Sequence, residues 1–152
     1  MYDNKIKMNM KDRLYEDLRS AMRCKDTSRL TTIRLVKKYI QELETSVGHN
    51  GDASDVEVLK IINKLTKQGK DAAEQYKSAG RTNLYDEEIA QVKILESYLP
   101  KQMTEDEISI EIDKVMNETG STNIGVLMKE LNTRLAGRSD GKTISRILKT
   151  KL

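Results

Sequence analysis

The sequence predicts an all-α protein: an N-terminal bundle of about four helices followed by a compact three-helix C-terminal unit. Three observations carry this expectation. Apolar residues recur at intervals of three and four along almost the whole chain, the period of one helical face. No stretch alternates β-branched and polar residues between turn signals, as a half-buried strand would. The chain has no Phe or Trp, so its interior is filled by Leu, Ile, Val, Met and Ala, which suits slender helix-on-helix packing. At 152 residues, 37% hydrophobic and 34% charged, it has material for one ordinary domain or two small helical ones.

The first helix is expected from near Asn9 to Arg23, with Met10, Leu14, Leu18, Ala21 and Met22 as its apolar stripe. After the polar break Lys25–Ser28, a second helix turns Leu30, Ile33, Val36, Ile40 and Leu43 inward and carries Arg29, Arg34, Lys37 and Lys38 on its outer side. Ser46–Ala53 holds two glycines and the only histidine, His49, and reads as an exposed loop with His49 as a surface residue. Ser54-Asp55-Val56-Glu57 is a capping box, in which the serine oxygen and the glutamate each satisfy a free amide at a helix start. It opens a long third helix closed by Ala79-Gly80, with Gly69 inside it marking either a close approach or a bend. A fourth helix uses Ile89, Val92, Leu95 and Tyr98 and stops near Leu99, because Pro100 disfavours helix at the residue before it.

Pro100 is the expected boundary between an N-terminal bundle over 1–99 and a three-helix tail domain over 100–152. Thr104-Glu105-Asp106-Glu107 is a second capping box, opening a fifth helix that Thr119-Gly120 ends. The acids of its first turn sit where the helix dipole favours them, which explains their clustering without a metal or a reaction. A sixth helix runs over about Ile124–Leu135 and a seventh begins at Gly141.

Charge is unevenly spread. Residues 121–152 hold seven Lys or Arg against two acids, whereas 102–120 hold six acids against one lysine. Cys24 is alone, so a reducing compartment is the simpler expectation. No apolar run reaches the length of a membrane span. Asp3, Asp12, Glu16 and Asp17 also argue against an organelle transit peptide, giving a cytoplasmic expectation with no membrane partner.

No catalytic residue is legible. The sequence lacks a strand-borne phosphate loop, a G-x-G-x-x-G turn, a cysteine pair, H-E-x-x-H and G-x-S-x-G. A lone His supports no metal site, and no cofactor is expected. Gly137-Arg138-Ser139-Asp140-Gly141-Lys142-Thr143 evokes a phosphate loop, but it follows a helix and its glycines are too close. It reads as a helix corner: Gly137 stops one helix in the left-handed conformation, Asp140 caps the next, and Gly141 begins it. Across this corner Arg134, Arg138, Lys142, Arg146 and Lys149 recur at intervals of three or four, forming one expected basic ridge.

These motifs carry a resemblance. Tyr98-Leu99-Pro100-Lys101-Gln102, the acidic capped helix ending in Glu118-Thr119-Gly120, and Gly137-Arg138-Ser139-Asp140-Gly141 before a short lysine-ended helix resemble the GatB/YqeY family. Upstream, Lys67-Gln68-Gly69-Lys70-Asp71, Tyr76 and Gly80-Arg81-Thr82-Asn83-Leu84 look like that family's Lys-Gln-Arg-Lys-Asp helix and Gly-Arg-x-Asp-Leu corner. The chain departs from the pattern at Gly69, where the family usually has Arg, at Gly125-Val126-Leu127-Met128-Lys129, at Thr133 and at Ser139.

The resemblance implies a stand-alone YqeY-like protein, similar to the C-terminal helical and tail regions of the GatB component of the glutamine-dependent aspartyl/glutamyl-tRNA amidotransferase. There the tail grips the tRNA elbow, while kinase and amide-transfer chemistry belongs to a separate cradle domain; nothing in this chain resembles that cradle. The family label of carbon–nitrogen ligase with glutamine as amido-nitrogen donor therefore has no residues here to carry it. The resemblance implies weak, salt-dependent tRNA binding through the ridge. The alternative is a protein-interaction module that docks on an amidotransferase or an aminoacyl-tRNA synthetase through the apolar seam between the two parts.

Overall fold

The computed structural model describes residues 9–152. Asp3, one of the acids used in the transit-peptide argument, lies outside them. Among the described residues there are seven α-helices and no strand: α1 (Met10–Cys24), α2 (Thr27–Glu44), α3 (Asp55–Ser78), α4 (Thr82–Glu96), α5 (Glu105–Thr119), α6 (Ile124–Arg134) and α7 (Gly141–Lys151). The chain divides into two compact units, Met1–Tyr98 and Leu99–Leu152.

In the first unit each helix before α4 starts where its sequence supplies an oxygen for the free amides. Asn9 accepts from Asp12 N at 2.8 Å and Asp26 from Arg29 N at 3.2 Å, while Ser54 and Glu57 form the full reciprocal box. The core is aliphatic, with Leu14, Ile33, Val36, Ile40, Val58, Ile62 and Leu95 among its buried side chains. Two threonines join it without leaving a polar atom bare: Thr32 and Thr66 each donate to the carbonyl four residues back, at 2.8 Å. Gly69 is buried on α3 because α4 comes very close. A Cβ built there would lie 2.7 Å from Val92 Cγ2, so close approach is the reason for the glycine.

Three local expectations shift. Met22 is exposed, since the inward face of α1 is held by Leu14 and Ala21. The fourth helix ends at Glu96, short of Leu99, and the following turn carries Tyr98 into a buried position where its hydroxyl donates to Asp17 at 2.5 Å. His49 is half-buried and no ordinary surface residue: its Nε2 lies 2.9 Å from Glu57, the capping-box acid of α3.

In the second unit α5, α6 and α7 enclose one cluster of nine buried residues: Ile108, Ile112 and Val115 from α5, Leu127, Leu131 and Leu135 from the α6 region, and Ile144, Ile147 and Leu148 from α7. Thr104 and Glu107 form the predicted capping box. Gly120 closes α5 with φ +63°, its amide bonded to Met116 O.

Candidate nucleic-acid interface

The last helix divides sharply by side. Ile144, Ile147 and Leu148 point into the core of the unit. Lys142, Arg146 and Lys149, at i, i+4 and i+7, fall on the other side of the 3.6-residue repeat. Lys142 and Lys149 are exposed and Arg146 keeps 59% of its side-chain exposure. The corner before the helix is built as its sequence dictates. Gly137 has φ +76°, a conformation costly for any residue with a Cβ, and the Asp140 carboxylate accepts from Thr143 N at 2.8 Å. Gly141 has no left-handed φ, and a Cβ there would meet Asn132 Oδ1 at an ordinary 3.6 Å; neither backbone conformation nor crowding demands a glycine at that position.

The five cations anticipated as a ridge differ in their surroundings. Lys142 and Lys149 make no ion pair with a described residue. Arg146 reaches Glu105 on α5 at 2.7 Å. Arg134, at the end of α6, is held between Glu118 of α5 and Glu130 of its own helix, the latter at 2.8 Å. Those two carboxylates raise the guanidinium further above its ordinary range, Glu118 contributing most, and Arg134 in turn holds Glu118 below the usual carboxylate value. Arg138, half-buried in the corner, donates from Nε to the Lys101 carbonyl at 3.4 Å. Lys151, outside the anticipated set, pairs with Asp113 at 2.8 Å.

The acidic helix is thus a neighbour of the basic one as well as a well-capped helix: Glu105, Asp113 and Glu118 each meet a cation from α6 or α7. These pairings are not legible in the helical periods, although the block of acids followed by a block of bases was their visible signal. The other polar features lie in the first unit. Lys11 bridges Glu44 and Asp52 at 2.7 and 2.9 Å. An open depression of about 390 Å³ lies over Gly80–Leu84, where Arg81 precedes α4 without a side-chain cap. Among the described residues no three His, Cys, Asp or Glu side chains gather in a way that could hold a metal ion. None of the described helices is long and apolar enough to cross a membrane.

Fold and site together define a small, two-unit, all-helical protein whose final helix is amphipathic with a cationic outer face. The chain belongs to the YqeY-like protein family, whose sequence profile matches residues 11–152. Its similar relatives include three fungal proteins, each named Altered inheritance of mitochondria protein 41, mitochondrial. That of Kluyveromyces lactis is 29% identical over 90% of this chain and 72% of its own length. That of Pyrenophora tritici-repentis is 28% identical over 88% and 76%, and that of Clavispora lusitaniae 27% identical over 79% and 72%.

These relatives overturn the cytoplasmic expectation, because the proteins most of this chain aligns with are named as mitochondrial. The physical grounds for that expectation were too weak to carry it. A lone cysteine argues only against an oxidising environment, and scattered acids near one end argue only against one kind of leader.

Proposed function

We propose that this YqeY-like protein is a non-catalytic tRNA-binding module, related in role to the tail of GatB in the tRNA amidotransferase, which its motifs resemble. The single observation that carries the reading is the outer face of α7, where Lys142, Arg146 and Lys149 stand at helical spacing directly after Arg138. Like charges at i, i+4 weaken an isolated helix slightly; a run of phosphates relieves that repulsion and releases counterions from the nucleic acid. Such a face contacts backbone and shape and discriminates little between sequences. In this reading the carbon–nitrogen ligase label of the wider family belongs to partner proteins that hold the reactive groups.

A filter-binding titration with bulk tRNA tests the proposal. The expected result is binding that weakens steeply with salt and is lost when Arg138, Lys142 and Arg146 are replaced together by alanine. No binding at low salt, or binding indifferent to those substitutions, would sink it.

A second reading, docking on an amidotransferase or an aminoacyl-tRNA synthetase, is favoured by the exposed apolar side chains Ile110, Ile124 and Val126 of the second unit. It predicts that such an enzyme co-purifies after nuclease treatment and that Ile124→Ser with Val126→Ser abolishes the association.

A further inference from the structure

The segment between Pro100 and α5 has no helical periodicity, so nothing in its spacing marks Lys101. Its placement does. Gln102 Nε2 donates to Gly137 O at 2.6 Å, and the next backbone amide, Met103 N, donates to Arg138 O at 2.9 Å. Successive carbonyls of the corner are therefore gripped by successive residues of the segment. Met103 also packs its side chain against the core cluster of the unit. In return Arg138 Nε donates to the Lys101 carbonyl at 3.4 Å. Three hydrogen bonds and one apolar anchor thus hold residues 101–103 against residues 137–138.

This stitching has an electrostatic consequence. Glu107 is held below the usual carboxylate range, chiefly by the Thr104 amide and then its hydroxyl, with Lys101 and Arg138 both adding to the effect. The geometry that joins the two residues is the Arg138 side chain on the Lys101 carbonyl. Lys101 is exposed and makes no ion pair with a described residue. Arg138 spends its Nε on the Lys101 carbonyl, which orients the guanidinium and leaves its two terminal nitrogens to donate elsewhere. Glu107 is already engaged by its own helix start, where Thr104 N donates to it at 3.0 Å.

We propose that Lys101 is a phosphate-contacting residue of the basic surface, set beside Arg138 by the hydrogen bonds of Gln102 and Met103 to the α6–α7 corner, so that the two bind one stretch of RNA backbone together. This rests on the tRNA-binding reading and adds to it a residue outside the helical ridge. Gln102 is a positioning residue, acting through the corner carbonyl it holds.

The test is salt-dependent binding of the full chain to bulk tRNA. Lys101→Ala is a clean substitution, because alanine keeps the carbonyl that Arg138 uses and the side chain removed is exposed. One lost phosphate contact reduces the slope of log affinity against log salt by about 0.7–0.9 and lowers affinity at 0.1 M salt by about five- to tenfold. Lys101→Arg restores both quantities, and Lys101→Ala with Arg138→Ala loses less than the product of the single losses. The inference is overturned if Lys101→Ala binds with unchanged affinity and slope while Arg138→Ala is impaired, or if its affinity falls with no change of slope. Absence of binding by the unsubstituted protein would instead remove the tRNA reading, and this inference with it.

Discussion

In the unit Met1–Tyr98 the ion pair between Lys11 and Glu44 is sheltered and holds a loop, whereas in Leu99–Leu152 the pair between Arg146 and Glu105 stands in solvent and holds a cation of the outer face. Lys11 and Glu44 retain only 15% and 17% of their side-chain exposure, and Glu44 also accepts from Ala53 N at 2.7 Å, tying the segment before α3 back to α2. Arg146 and Glu105 are exposed to 59% and 64%. A sheltered pair with a backbone donor is part of the fold, since removing one partner strands the others. An exposed pair is worth little and is open to exchange. The same chemistry thus serves as architecture at Lys11 and leaves both charges in solvent at Arg146.

The largest expected effect is a break in the first of these. Glu44→Ala leaves Lys11 with Asp52 alone and the Ala53 amide without its acceptor, and should lower unfolding stability by about 2 kcal/mol in a denaturant titration. The same group fixes a pH dependence. Lys11 first, then the Ala53 amide, holds the Glu44 carboxyl below its ordinary 4.5. The folded state therefore binds fewer protons than the unfolded one in that range. Its contribution is complete above about pH 4.5 and is lost as pH falls through the depressed folded value. Glu44→Gln should flatten that part of the acid limb, and an acid limb of unchanged slope would count against the role assigned to Glu44.

A smaller effect is expected where α3 meets α4. Gly69→Ala gains about 1 kcal/mol of helix propensity but pushes a methyl against Val92, and overpacking costs about 1–3 kcal/mol. A net loss near ~1 kcal/mol is the expected outcome. Adding Val92→Ala should cost less in that background than in the original protein, because the crowding and the cavity offset one another. A net gain for Gly69→Ala alone would mean that α4 yields easily, and that the first unit is less rigid than its sheltered contacts imply.

The helices were legible because most carry their own local signals. The boxes at Ser54/Glu57 and Thr104/Glu107 and the stop at Gly120 are read close to the ends they define. The first helix keeps within a residue of its expected bounds, although Lys25 closes it at φ +57° without glycine's warning. Where the local signal is missing, the expectation slips. The fourth helix stops at Glu96, and Tyr98 is drawn inward to Asp17, a partner 81 residues away. The outer face of α7 could be read from its period alone. The acids of α5 that meet Arg134 and Arg146, Glu118 and Glu105, could not, being 16 and 41 residues distant in sequence, nor could the juxtaposition of Lys101 with Arg138, which depends on a stapled segment with no period.

The smallest effect on stability is expected to be the most informative about function. Glu105→Gln removes the acid that meets Arg146 but keeps the side chain's length, and neither partner is sheltered, so the unfolding midpoint should stay within error of the original. If α5 occupies a cation that RNA would otherwise use, the substitution frees Arg146, and affinity for bulk tRNA should rise about two- to fivefold at low salt, the equivalent of one exposed pair. Glu44→Gln, which removes an acid of the same charge from the other unit, should leave binding unchanged. Equal gains from both would reduce the effect to net charge, and a stability loss from Glu105→Gln comparable to that from Glu44→Ala would erase the difference between the two kinds of ion pair. A rise confined to Glu105→Gln would make the acidic helix the element against which the last helix sets its grip on RNA.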